Sequence, residues 1–329
     1  MPELRKHDFL DEYVLIATER AKRPTDFRKP RPPAAGPETC PFCPGREERT
    51  PPAVAAYVRR GEKIELLADG EERVRGWSAR VFPNLFPAVG PEHGAHEVIA
   101  ETPAHDRHPS RLDDGEAVLL LRVFRDRFLH HTARGARYVS LFRNHRPEAG
   151  ASLSHPHSQL ISLPLVPPKM AAEQRALARE CALCRVAPEE ARGGRFLLRR
   201  GAWVAFAPRA SRKPFEAWVV PERHLPSLRE VEGSDLRDFA LLARDLLARI
   251  EGVLGDFPYN AMLFQLGEGD YHLSLRVEPE LATAAGFEKS TGVYINPLPP
   301  EEAARTLRSE ARGGAEEGPP AGARRAASK

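Results

Sequence analysis

The sequence predicts a mixed α+β protein assembled from two related halves. Short apolar runs of strand type, such as Tyr138-Val139-Ser140-Leu141-Phe142 and Leu160-Ile161-Ser162-Leu163, are interspersed with stretches whose apolar residues recur at helical spacing. The order of distinctive elements in residues 1–170 returns in residues 171–312. The four cysteines form two Cys-x-x-Cys pairs, one in each half. A chain of 329 residues is long for one core and suits two domains, here 1–170 and 171–312, followed by a tail at 313–329.

Charge and hydropathy narrow the class. The 49 basic residues nearly balance the 46 acidic ones, for a net charge of +3, and no long basic tract points to nucleic acid as the partner. No apolar run is long enough to span a bilayer, and the first residues lack the hydrophobic region of a signal peptide, so a cytoplasmic, membrane-free protein is expected. In that compartment a Cys-x-x-Cys pair favours metal over disulfide. Cys40/Cys43 and Cys181/Cys184, which account for every cysteine, therefore read as zinc ligands.

In chain order, Tyr13-Val14-Leu15-Ile16-Ala17 reads as a strand. It is followed by the basic cluster Arg20-Ala21-Lys22-Arg23-Pro24 and by a proline-rich linker to the first cysteine pair. Strands follow at Ile64–Leu67, Ala79–Phe82 and His96–Glu101. Asn84 lies in a loop between the last two, and His105 and His108 come just after. Residues 117–134 carry Leu119, Leu120, Val123, Phe124 and Phe128 on one helical face, and His130 and His131 at the end read as surface or dipole partners. In the second half Phe215–His224 echoes His96–His105, a helix follows over Ser234–Leu254, Tyr271–Leu275 falls where the first half has His155–His157, and a helix follows at Pro300–Arg308. The Gly-, Ala- and charge-rich tail reads as disordered.

The segment that carries chemistry is Gly150-Ala151-Ser152-Leu153-Ser154-His155-Pro156-His157-Ser158-Gln159. Two histidines flank a proline that fixes φ, and Gln159 shares a face with His157 if the segment is a strand. Apolar strand-like runs on both sides place the pair between buried strands, where an active site is expected.

His-Pro-His-Ser-Gln resembles the His-Pro-His-x-Gln signature of galactose-1-phosphate uridylyltransferases, the nucleotide-transferring branch of the histidine-triad superfamily. The resemblance extends from Leu4 to about Arg308 and implies two histidine-triad-like halves, each an antiparallel sheet packed with helices. It implies a ping-pong reaction in which His157 attacks the α-phosphorus of a nucleotide-sugar, with Gln159 and Ser152 on the phosphates. Arg20 and Arg23 match the family's diphosphate-contacting arginines, Asn84 its uridine contact, Asn144 a nucleotide contact and Glu288 a hexose contact. His155 and His105 would complete the first zinc site with Cys40 and Cys43, with His108 as the local competitor to His105.

Matched against the first half, the second supplies Cys181, Cys184, His224 and His272 in the same order, but Ser274 where the first has His157. Two structural zinc sites and one catalytic half are expected, with UDP-glucose as donor, galactose 1-phosphate as acceptor and a homodimer as the assembly. Leu153 and Ser154 depart from the family's commoner Asn-Pro. Relatives that transfer adenylyl groups from ADP-glucose to phosphate share the two-zinc pattern and give an alternative reading. A zinc-stabilised nucleic-acid-binding protein would also use cysteine pairs, but here they are far apart, without interleaved aromatic and basic residues, and would leave His157 and Gln159 unexplained.

Overall fold

The computed structural model describes residues 2–18, 36–178 and 180–309. Arg20, Arg23 and the tail at 313–329 lie outside these described residues. Strands β1 (Glu3–Lys6) and β2 (Tyr13–Ile16) form an antiparallel pair. They are followed by β3 (Ala55–Arg60), β4 (Lys63–Leu67), β5 (Trp77–Pro83), β6 (Ala95–Ala100), helix α1 (Asp114–Thr132), β7 (Tyr138–His145) and β8 (His157–Leu163). Helices α2 (Pro168–Leu177) and α3 (Ala182–Glu190) then lead to β9 (Phe196–Arg200), β10 (Trp203–Phe206) and β11 (Ala217–Pro221). The chain closes with α4 (Gly233–Leu254), β12 (Tyr259–Phe264), β13 (Ser274–Pro279), α5 (Gly286–Thr291), β14 (Tyr294–Asn296) and α6 (Pro300–Ser309). Among the described residues no helix is long and apolar enough to cross a membrane.

Both halves have the expected antiparallel strands and covering helices, and they share one sheet. Eleven strands run in the order β4-β3-β5-β6-β8-β7-β12-β13-β11-β10-β9. The seam is β7 against β12, with Phe142 opposite Met262. Joining the halves there pairs two strands that would otherwise be exposed edges, each a row of unpaired amides.

Strand alternation gives the sheet two unlike faces. Leu160, Ile99, Leu141, Leu263, Leu275 and Val219 point into one core, which α1 and α4 cover. Helix α1 opens with a capping box between Asp113 and Glu116, and α4 stops at Gly255, whose φ of 71° suits a residue without Cβ. Trp203 stacks on Phe239 of α4 with ring centroids 4.1 Å apart. Where α1 meets β6, Arg127 grips Glu97 through two bonds of 2.9 and 2.6 Å, and His131 lies 3.0 Å from the same carboxylate. His131, expected at the surface, is buried because its helix turn faces this carboxylate.

The opposite face differs between the halves. In the second, α2 and α3 cover it, packing Met170, Leu183 and Val186 in one cluster with Phe206, Trp218 and Phe264. In the first, the same face carries the smaller cluster of Ala56, Val58, Trp77, Phe82, Val98 and Ala100, with Phe42 of the Cys-x-x-Cys turn against it.

The cover on the second half is locked by charge. Glu173 of α2 accepts two bonds from Arg276 of β13, 2.9 and 2.7 Å, and one of 2.6 Å from the Tyr271 hydroxyl. Burial alone would raise the Glu173 pKa, but the Arg276 charge and these bonds outweigh it and hold it at about 2. A carboxylate whose folded pKa lies below its unfolded value of 4.5 stabilises the fold fully above that pH and loses the contribution as pH falls toward 2. Glu173→Gln is expected to lower stability at neutral pH and flatten the acid limb below pH 4.5. Urea denaturation across that range checks this; an acid limb identical to wild type would assign the sensitivity elsewhere.

Candidate functional site

The site grows from the point where β8 begins. His157 is the first residue of that strand and pairs with Ala100 at the end of β6, so its backbone is fixed on the β6 side. Before it, the segment from Arg146 to Pro156 turns sharply. Arg146 has φ of 69°, unusual for a residue with a Cβ, and Gly150 has φ of 89°. Ser152 lies exposed in this loop.

The geometry of His157 fixes its tautomer. Its Nδ1 lies 2.8 Å from the His155 carbonyl. A carbonyl only accepts, so Nδ1 carries the proton and the lone pair of the neutral ring is on Nε2. The ring is 6% exposed. Burial pushes its pKa down, while the bond to the His155 carbonyl opposes that shift. The edge of Phe42 meets the ring with centroids 5.5 Å apart. The result is a neutral imidazole, clamped at one nitrogen and nucleophilic at the other.

Gln159 lies two residues along on the same strand face. Its Oε1 is 2.8 Å from Nε2 of His96 on β6, and Asn84 Nδ2 is 3.2 Å from that same nitrogen. Asn84 Oδ1 accepts from the Phe86 amide at 2.9 Å. The structure thus brings Asn84 and Gln159 together through His96, which the sequence did not single out because an isolated histidine on a strand carries no motif. Asn144 at the end of β7 accepts 2.8 Å from Nδ2 of Asn260 on β12, which also donates 2.9 Å to the Ala149 carbonyl. Asn260 belongs to the second half and ties Asn144 to the loop that carries Ser152.

Two Cys2His2 groups are assembled, Cys40/Cys43/His105/His155 and Cys181/Cys184/His224/His272, each with all donor atoms within 4.8 Å of one another. Cys43 Sγ lies 3.3 Å from His105 Nδ1 and 3.6 Å from His155 Nδ1. Cys181 and Cys184 lie 3.2 and 3.5 Å from His272 Nδ1, and Cys184 is 3.4 Å from His224 Nδ1. These separations match the edge of about 3.5 Å in a tetrahedron with metal bonds of about 2.0–2.3 Å.

The outer contacts agree with a metal-binding role. His155 Nε2 lies 2.9 Å from the Thr102 carbonyl, and His272 Nε2 lies 2.9 Å from the Pro221 carbonyl. Each leaves Nδ1 as the free donor, the usual way a ligating histidine is oriented. Burial lowers both histidines to about 4. Burial and the neighbouring cysteine push Cys43 up to about 11 and Cys184 up to about 12, a cost that a cation between the sulfurs would remove. His108 is not part of the first group; its Nε2 lies 2.7 Å from the Tyr259 hydroxyl.

Glu288 also caps a helix. Its carboxylate accepts 2.6 Å from the Ala285 amide and caps the short helix α5. The following β14 lies parallel to β2, with Asn296 bonded to the Ser211 and Lys213 carbonyls of the second half. The second carboxylate oxygen of Glu288 accepts from the Ile295 amide at 3.4 Å. Arg20 and Arg23 lie outside the described residues.

The donor sets predict two bound metal ions per chain. Cys43→Ser is expected to lose one of them and to melt at lower temperature, because the same group fixes the turn bearing Phe42 and the segment bearing His155. Metal analysis with thermal denaturation reads this; unchanged metal content would remove Cys43 from the donor set.

No family model matches the chain. An ADP-glucose phosphorylase of Arabidopsis thaliana is 31% identical across 93% of this chain and 92% of its own length. A galactose-1-phosphate uridylyltransferase of Thermotoga maritima is 27% identical across 94% of this chain and 98% of its own. A crystal structure of an Arabidopsis thaliana ADP-glucose phosphorylase with bound ADP-glucose superimposes with a TM-score of 0.77 at 28% identity, covering 94% of this chain and 99% of that one. A uridylyltransferase structure does so with 0.71 at 26% identity, covering 95% and 99%. Sequence and fold thus agree over almost the whole length, and the chain belongs to the galactose-1-phosphate uridylyltransferase family.

Proposed function

We propose that the chain is a nucleotidylyltransferase that moves the uridylyl group of UDP-glucose to galactose 1-phosphate through His157. The observation that carries this is the clamped imidazole, with Nδ1–H held by the His155 carbonyl and the Nε2 lone pair left for attack. In the first displacement Nε2 attacks the α-phosphorus. The N–P bond forms as the P–O bond to the second phosphate breaks, and glucose 1-phosphate leaves with the electron pair. In the second, a phosphate oxygen of galactose 1-phosphate attacks the same phosphorus and the N–P electron pair returns to Nε2. The proton stays on Nδ1 throughout, where the His155 carbonyl meets the positive charge that the ring acquires.

The other roles follow the family resemblance. Gln159 and Ser152, with Arg20 and Arg23, take the phosphate oxygens, while Asn84 and Asn144 take the nucleoside. Zinc suits both Cys2His2 groups by donor chemistry, and as a closed four-donor site it would hold the flanking segments without offering a position to water. We assign residues 1–170 as the catalytic half. Residues 171–312 form a half that kept its donor set and lost the nucleophile, since Ser274 opens β13 as His157 opens β8. The Glu288 carboxylate caps α5 and retains lone pairs that a hexose could use, and the resemblance sets that hexose site across a homodimer, so assembly with a second copy is part of the proposal.

A second reading is favoured by the 31% identity to an ADP-glucose phosphorylase: the same histidine would carry an adenylyl group from ADP-glucose to inorganic phosphate. Intact-mass measurement after mixing the protein with UDP-glucose or ADP-glucose, without acceptor, separates the two. A uridylyl adduct on wild type and none on His157→Ala is expected. An adenylyl adduct alone would move the assignment to the second reading, and no adduct from either donor would sink His157 as the nucleophile.

A further inference from the structure

We propose that His96 is a positioning residue that sets the direction of the Gln159 side-chain amide, turning its N–H group toward the nucleotide. The inference rests on the nucleotidyl-transfer reading but concerns a residue to which the family signature gives no role. His96 is on β6, the strand beside the one that carries His157, and is 9% exposed.

The bonds around its ring leave one consistent arrangement of protons. The Ala88 backbone N–H, which only donates, lies 3.0 Å from His96 Nδ1, so Nδ1 is the acceptor. The neutral ring then carries its proton on Nε2 and donates it to Gln159 Oε1 at 2.8 Å. With its oxygen taken, Gln159 has only N–H bonds to offer a ligand. Asn84 arrives at the same state from the other side. Its Oδ1 accepts from the Phe86 amide, and its Nδ2, 3.2 Å from the nitrogen that already bears a proton, has to find its acceptor elsewhere.

Two neutral donors are thus turned outward, one on the nucleophile's own strand. That is complementary to a group rich in acceptors, such as phosphate oxygens or base carbonyls, and uncharged donors bind it without adding positive charge beside the attacking imidazole. If Gln159 were turned the other way, its oxygen would face the anion and its N–H groups would face the Nε2 proton of His96. One buried histidine prevents both. In the second half the residue two after Ser274 is Arg276, which is clamped by Glu173.

A double-mutant cycle with nucleotide-sugar tests this. His96→Phe is expected to slow adduct formation on His157 by about 10²-fold, the usual cost of losing one oriented donor, and Gln159→Ala by a similar factor. The double variant should be no slower than Gln159→Ala alone. His96→Gln, whose side-chain N–H can reach the place of Nε2, should recover most of the rate, and all variants should melt near wild type. An equal further loss from His96→Phe in the Gln159→Ala background would overturn the proposal, because His96 would then act independently of Gln159. The same cycle read as UMP and AMP affinity requires no transfer step. A wild type that forms no adduct would therefore refute the nucleotidyl-histidine reading while the binding cycle still decides the role of His96.

Discussion

His155 is the residue on which the rest of the site depends, because its side chain and backbone do different work. The side chain presents Nδ1 to Cys43, and its Nε2 is bonded to the Thr102 carbonyl. The backbone carbonyl of the same residue accepts the proton of His157 Nδ1. The ring that could hold a metal and the carbonyl that sets the tautomer of His157 are therefore one unit, with Pro156 restricting the backbone between the two histidines. A shift of the Cys40–Cys43 turn would move the carbonyl and loosen the imidazole it holds.

The halves diverge through what covers one sheet face. In the second half α2 brings Glu173 onto that face, where it neutralises Arg276 and meets Tyr271 in a fully buried cluster. Arg276 also lies 3.7 Å from the Phe264 ring centroid and 4.3 Å from that of Trp218, so its guanidinium is enclosed by aromatic faces and a carboxylate. The corresponding face of the first half carries His157, Gln159, His96 and Asn84. In the second half Ser274 and a helix-covered face go together, whereas the first half has His157 and a face without that helical cover.

Buried ion pairs recur where helices or strands meet across this sheet. Glu97 with Arg127 and His131 ties β6 to α1, Glu101 with Arg143 and Ser158 ties the end of β6 to β7 and β8, and Glu173 with Arg276 ties α2 to β13. Desolvating such charges offsets much of their attraction, but removing one partner from a buried pair costs about 3–5 kcal/mol. They contribute more to fixing which surfaces meet than to net stability. The Glu101–Arg143 pair lies near His157, and the Arg143 charge is among the influences that keep the imidazole neutral.

The sequence by itself determined the α+β class, the repeated order of elements and the donor residues of both Cys2His2 groups. The class rests on local periodicity, the cysteine donors on their spacing, and the histidine donors on the family resemblance and the match between the halves. It also set His157 and Gln159 on one strand face, since side chains two apart on a strand point the same way. The tertiary structure decided what depends on distant residues: the joining of both halves through β7 and β12, the burial of His131 against Glu97, the bond from Asn260 to Asn144, and the use of Glu288 as a helix cap. His96 shows why. Its chemistry comes from Ala88, Asn84 and Gln159, and what a histidine does is settled by the partners at its two nitrogens, which no spacing along the chain can specify.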